Sequence, residues 1–161
     1  MGKSNIKNGR YTIEKKEPFV VFIIGMRINR FLAFSKWLPT AKAMGPMIKE
    51  LYQHPELGFL DCEIAFNLRG VTMVQYWRSF EDLERYAKEE LHLEAWKRFN
   101  RSIGSDGTVG IFHETYEIKL GQYECIYANM PAFGLGKTGE VVPAVGRRKT
   151  AQRRIHKESI D

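Results

Sequence analysis

Between residues 71 and 101 the hydrophobic positions change period. VTMVQYW alternates as a strand does, ending at Trp77. Beyond it Phe80, Leu83, Ala87, Leu91, Ala95 and Phe99 recur every three or four residues. This spacing predicts a helix running from a cap at Ser79, with Asp82 three residues on, to about Phe99. Its apolar stripe has to lie on a sheet. His92 and Trp96, one turn apart at the edge of that stripe, stand where a histidine is neither fully solvated nor in the core, and form the first candidate site.

The rest of the chain extends the pattern. Residues 19–28, FVVFIIGMRI, are apolar on both alternating faces, so both sides of this strand need cover. A helix is predicted over about 40–52, distorted at Gly45-Pro46 and ended by His54-Pro55. Residues 57–68 and 71–77 read as two strands joined by a tight turn at Arg69-Gly70. Residues 108–120 read as a fourth strand that sets Ile111, His113 and Thr115 on one face and Phe112, Glu114 and Tyr116 on the other. A short extended piece over 123–127 follows. The order is that of an α+β, ferredoxin-like βαββαβ fold, an antiparallel sheet with two helices on one face. The apolar strand then leaves the other face to a second sheet, most simply that of an identical subunit. A homodimer is the expectation, and the N-terminal segment or the tail folding back is the alternative.

Composition adds domain limits and exclusions. The 161 residues, 43% of them hydrophobic, can bury one core. They divide into an N-terminal extension over 1–17, a domain over 18–128, and a lid segment with a basic tail over 129–161. The chain carries 25 Lys and Arg against 19 Asp and Glu. Seven of the basic residues and three of the acidic ones fall within 137–161. That tail has no Phe, Trp or Tyr to stack on a base and no amphipathic stripe. It is expected to be solvated and dispensable, and nucleic acid is not the expected partner. Two cysteines without CxxC spacing fit a reducing cytoplasm. No stretch has the length or composition of a signal peptide or a membrane span, so no membrane partner is expected. No dinucleotide fingerprint, phosphate loop, paired-carboxylate or metal-ligand spacing occurs.

Trp77 closing a strand, the helix with His92, Ala95 and Trp96, the strand GIFHETYEI and the segment YECIYANMPAFGLGK carry a resemblance. Over about residues 15–137 the chain resembles the small monooxygenase family typified by the fumagillin-pathway enzyme, within the dimeric α/β-barrel superfamily. HETY and NMPAFGLG are its most specific parts. The resemblance implies an oxidative enzyme acting on a small apolar organic molecule, either without a cofactor or with haem b. The superfamily also contains haem-dependent aldoxime dehydratases, and a non-catalytic ligand-binding or stress module is a third reading.

On that reading His113 and His92 are the candidate catalytic residues, bordering one cleft between helices and sheet. An imidazole there can act as a base, or as a haem ligand, with His92 the alternative ligand. Asn29 resembles in position the amide that orients a substrate oxygen in the superfamily's cofactor-free oxygenases. Trp77, Trp96, Phe99, Tyr116, Met130 and Phe133 are the expected substrate contacts, with residues 130–133 as a lid that Gly134 and Gly136 let fold closely. Each has a plain alternative: a core histidine for His113, packing for Trp77, a turn residue for Asn29, a connecting loop for 130–133.

Overall fold

The computed structural model describes residues 5–88, 93, 97, 101 and 104–155. Its main sheet has four antiparallel strands, β2 (Phe19–Ile28), β3 (Phe59–Asn67), β4 (Gly70–Trp77) and β5 (Val109–Ile118), in the order β3-β4-β2-β5. Helices α1 (Phe34–Gln53) and α2 (Phe80–Lys88) fill the connections that a ferredoxin-like βαββαβ unit requires. β2 runs down the middle. Its residues pair with β4 on one side (Val21 with Tyr76, Ile24 with Met73) and with β5 on the other (Val21 with Tyr116, Ile24 with His113).

One face of this sheet is held by the helices. Val20, Phe59, Cys62 and Trp77 bury themselves with Leu51 of α1 and with Leu83 and Tyr86 of α2. Further along, Met26, Ile28, Val71 and Val109 pack beneath Trp37, Ala41 and Met44. That contact explains why α1 begins at Phe34 and not near Thr40. Prolines 39 and 46 each break a ladder hydrogen bond, at a cost of about 3 kcal/mol in an exposed helix, but burying Trp37 and Met44 offsets it. The predicted cap is present, with Ser79 Oγ accepting the Asp82 N–H at 3.1 Å. The Asp82 carboxylate turns instead to Arg78 and Arg85. Gly70 is required by the close strand approach at the hairpin, since a Cβ there would stand 1.8 Å from the Met26 carbonyl oxygen.

The termini differ from the expectation. Within the N-terminal extension, residues 7–14 form a strand outside the predicted elements, β1 (Lys7–Glu14). It pairs antiparallel with β6 (Tyr127–Met130) and with β7 (Glu140–Pro143) in a second, three-stranded sheet. Tyr11, Thr12 and Ile13 are buried there. The basic tail is likewise folded as far as it is described. It passes through a 3-10 turn (Gly146–Arg148) into a short helix, α3 (Ala151–Ile155), and Arg154 is only 8% exposed. Its guanidinium contacts Glu124 and donates to the Arg148 and Lys149 carbonyls, while Arg148 pairs with Glu14 at 2.7 Å. A burial that composition alone argued against is possible because each buried charge meets a carboxylate more than 25 positions away.

The face of the main sheet turned away from the helices is covered in part by the chain itself. Phe19 is buried edge-on against Tyr123, their ring centroids 5.4 Å apart. A 3-10 turn (Gly134–Lys137) lies over Asp61, Glu63 and Tyr76. The β5 side of this face stays open, with Phe112 43% and Tyr116 47% exposed.

Candidate functional site

Strand pairing decides which side chains can meet. His113 is the register partner of Ile24, and Ile111 of Met26, both on the row that carries Val20, Met26 and Ile28 under the helices. His113 therefore lies on the helix-facing side with Ile111, a choice that alternation alone left open, and not between the sheet and the opposite cover. Its ring is exposed and stands 5.7 Å from that of Phe22, tilted by 41°. Glu114 and Tyr116 point the other way. The Tyr116 hydroxyl donates to Glu114 Oε2 at 2.6 Å, and this hydrogen bond raises its pKa.

Several expected members of the site stand elsewhere. Tyr116, on the opposite face, cannot line a helix-side cleft with His113. Trp77 is on the right face but has no exposed surface, with Phe59 and Tyr86 each 5.5 Å away by ring centroid and its indole N–H on Gln75 Oε1 at 3.0 Å. Four residues along the strand and two strands across separate it from His113, roughly 16 Å. It is a core residue. Asn29 spends its amide on the turn before β5: Nδ2 donates to the Gly107 carbonyl at 3.0 Å and Oδ1 accepts from Arg27 at 3.2 Å. Its backbone N–H reaches Thr108 O, so the hydrogen bonds it makes are those of a turn residue.

Met130 and Phe133 lie with the second sheet. The Met130 carbonyl accepts from Tyr11 at 2.8 Å, and Phe133 is 47% exposed at the entry to the Gly134–Lys137 turn. That turn is fastened on the face away from His113. Gly134 N–H donates to Glu63 Oε1 at 2.7 Å, Gly136 N–H to the Tyr127 hydroxyl at 2.9 Å, and Lys137 pairs with Glu63. Burial pushes the Tyr76 and Tyr127 hydroxyls up from their ordinary range, so both stay neutral acceptors or donors here. The segment clamps the sheet and does not cover the histidine. His92, Trp96 and Phe99 lie outside the described residues.

One polar group on the helix side was missed. Thr40 is 4% exposed, and its Oγ1 meets no hydrogen-bond partner. Lys36, one turn earlier, reaches Asp106 in the turn before β5, which sets this side of α1 toward β5. Trp37, Ala41 and Met44 hold the helix over Met26, Ile28, Val71 and Val109. A threonine inside the apolar stripe of α1 was the available signal, hidden by a predicted helix that only began there. The described site is thus an exposed imidazole on a wall of Phe22, Ile24 and Ile111, with Thr115 on the same face. Such a wall can seat an apolar molecule with one or two polar atoms. Among the described residues, no group of three or more His, Cys, Asp or Glu side chains is placed to hold a metal ion.

Comparison with known proteins agrees with this architecture. Aldoxime dehydratase OxdRE, solved in complex with butyraldoxime, has a TM-score of 0.66 at 16% identity, over 81% of this chain and 39% of that one. At that identity the likeness is one of fold. A relative from Aspergillus fumigatus (strain ATCC MYA-4609 / CBS 101355 / FGSC A1100 / Af293), Monooxygenase af470, is 33% identical over an alignment of 150 positions that covers 87% of this chain and 48% of the relative. The chain thus spans about half the length of that relative. The pattern of the family described as Monooxygenase af470-like matches residues 19–135, from the first residue of β2 into the Gly134–Lys137 turn, and the chain belongs to that family.

Proposed function

We propose that the protein is a monooxygenase-type oxidoreductase that holds an apolar, electron-rich organic molecule between α1 and β5. The observation that carries this reading is the exposed His113 imidazole on the helix-facing side of the sheet, beside Phe22, Ile24 and Ile111. The name of the 33% identical relative supports the reaction class. His113 removes a proton from a CH2 group activated by a neighbouring enol or phenol. The resulting anion reduces dioxygen. One oxygen atom ends as C=O on that carbon and the other leaves as water with the two hydrogens, so the substrate supplies all four electrons.

The test is oxygen uptake with hydroquinone-like and enolic substrates. His113→Ala should remove turnover and leave the circular dichroism unchanged, because the ring is exposed. Turnover that survives the substitution sinks the role given to His113. Haem is the second form of the same reading, since His113 is the imidazole on the described apolar wall that would hold its iron. When bound, haem would supply oxygen or oxime chemistry. A Soret band on titration with haemin that His113→Ala abolishes would select this form over the cofactor-free one.

The same proposal includes a homodimer through the open part of the far face, where Phe112 and Tyr116 are exposed beside the half-buried Val21 and Ile23. Light scattering of the wild type should give twice the chain mass, and Ile23→Lys the chain mass. A wild type that is monomeric across the micromolar range rejects this arrangement.

A further inference from the structure

At the end of the sheet where β2 leaves for α1 and β3 turns into β4, apolar side chains project into solvent. Leu32 is 89% exposed, Phe66 83% and Leu68 95%, with Phe31 and Phe34 about half exposed beside them. They form one patch. The Trp37 indole donates to the Phe31 carbonyl at 3.0 Å and its ring lies 5.5 Å from that of Phe34. Trp37 packs with Val71, the register partner of Phe66. The Arg69 guanidinium sits 5.2 Å over the Phe31 ring, which joins the hairpin tip to the start of α1. A surface with this many protruding apolar groups marks a contact site.

The charge around it has one sign. Arg27, Arg30, Lys36, Lys42 and Lys49 occur between residues 27 and 49 without a single Asp or Glu, and Arg69 and Arg78 are the only charges between 64 and 78. Arg27, Arg30 and Arg69 are exposed at the patch. Asp106, in the turn before β5, is paired with Lys36. A second copy docking here would set arginines against arginines with no acid to separate them.

We propose that this end of the molecule docks on an anionic lipid bilayer, with Leu32, Phe66 and Leu68 entering the acyl boundary and Arg27, Arg30 and Arg69 meeting the headgroup phosphates. No helix among the described residues is long and apolar enough to cross a membrane, and adsorption to a surface requires none. The proposal is independent of the reaction assigned above.

Sedimentation of the full chain with vesicles of phosphatidylcholine, alone or mixed with phosphatidylserine, tests it. The wild type should sediment with the mixed vesicles, less so as salt is added. Leu32→Asp combined with Leu68→Asp should weaken binding about tenfold or more, and Arg30→Glu combined with Arg69→Glu should remove the preference for phosphatidylserine. All four side chains are exposed, so unchanged circular dichroism is expected and is checked first. Failure of the wild type to bind either vesicle overturns the proposal, as does equal binding by wild type and variants. So does a wild-type oligomer that Leu68→Asp dissociates, because the patch would then be occupied by protein.

Discussion

Glu63 Oε1 accepts two hydrogen bonds from one turn, from the Gly134 N–H at 2.7 Å and from the Lys137 ammonium at 2.7 Å. Burial alone would lower the Lys137 pKa, but Glu63 and Asp61 together raise it. The segment that ends the family match is thereby tied to strand β3, 71 positions earlier. Glu63→Ala should free the turn and cost about 1–2 kcal/mol, an amount reduced by the partial exposure of Lys137. Urea unfolding measures the loss, and limited proteolysis should place new cleavage between Pro131 and Thr138.

Arg154 is the counterpart at the other end of the tail. Its nearly buried guanidinium satisfies Glu124 and two carbonyls, so Arg154→Met should destabilise the protein by about 3 kcal/mol, leaving Glu124 without its partner. Removal of residues 147–161, which composition alone would make harmless, should do the same or worse. An unchanged thermal midpoint in either variant would show the ion pair to be dispensable.

Trp77 and His113 should separate stability from chemistry. Trp77→Ala empties the centre of the larger core cluster and should cost about 3–5 kcal/mol by urea titration, whatever the substrate. His113→Ala should cost under about 1 kcal/mol, since an exposed ring leaves no cavity. If the Trp77 variant instead keeps its stability and changes only KM, the tryptophan lines the pocket after all.

Thr40→Val should be neutral or stabilising, by up to about 1 kcal/mol, because it removes a buried hydroxyl that has no partner in the free protein. A loss of stability would mean that the hydroxyl is satisfied within the fold.

The pairing of Asp82 with Arg78, and less strongly with Arg85, holds its carboxyl below the ordinary 3.8. A depressed folded-state pKa contributes stability above the unfolded value, lost as pH falls through the folded one. Asp82→Asn should therefore be less stable than wild type by about 1–2 kcal/mol near neutrality, a gap that closes below about pH 3.8. A gap independent of pH would assign the effect to packing against Gly58, whose φ of 86° leaves no room for a Cβ beside Asp82.

What the sequence by itself determined is what repeats locally. Alternation set His113 opposite Glu114, the two-sided run in β2 required cover on both faces, the Ser79 cap opened α2, and the order of strands and helices led to the four-stranded antiparallel sheet. Each follows from a backbone period or from a side chain bonding its own neighbours. Only the tertiary structure decided the matters that depend on residues far apart in the chain. Trp77 is core because Phe59 and Tyr86 close on it, and the tail folds because Glu14 and Glu124 meet its arginines. The supposed lid lies on the wrong face because Glu63 and Tyr76 hold it there. Thr40 is buried without a partner, which the pattern of α1 alone does not show. Burial and pairing are properties of two or more distant segments at once, and no period in one of them carries the identity of the other.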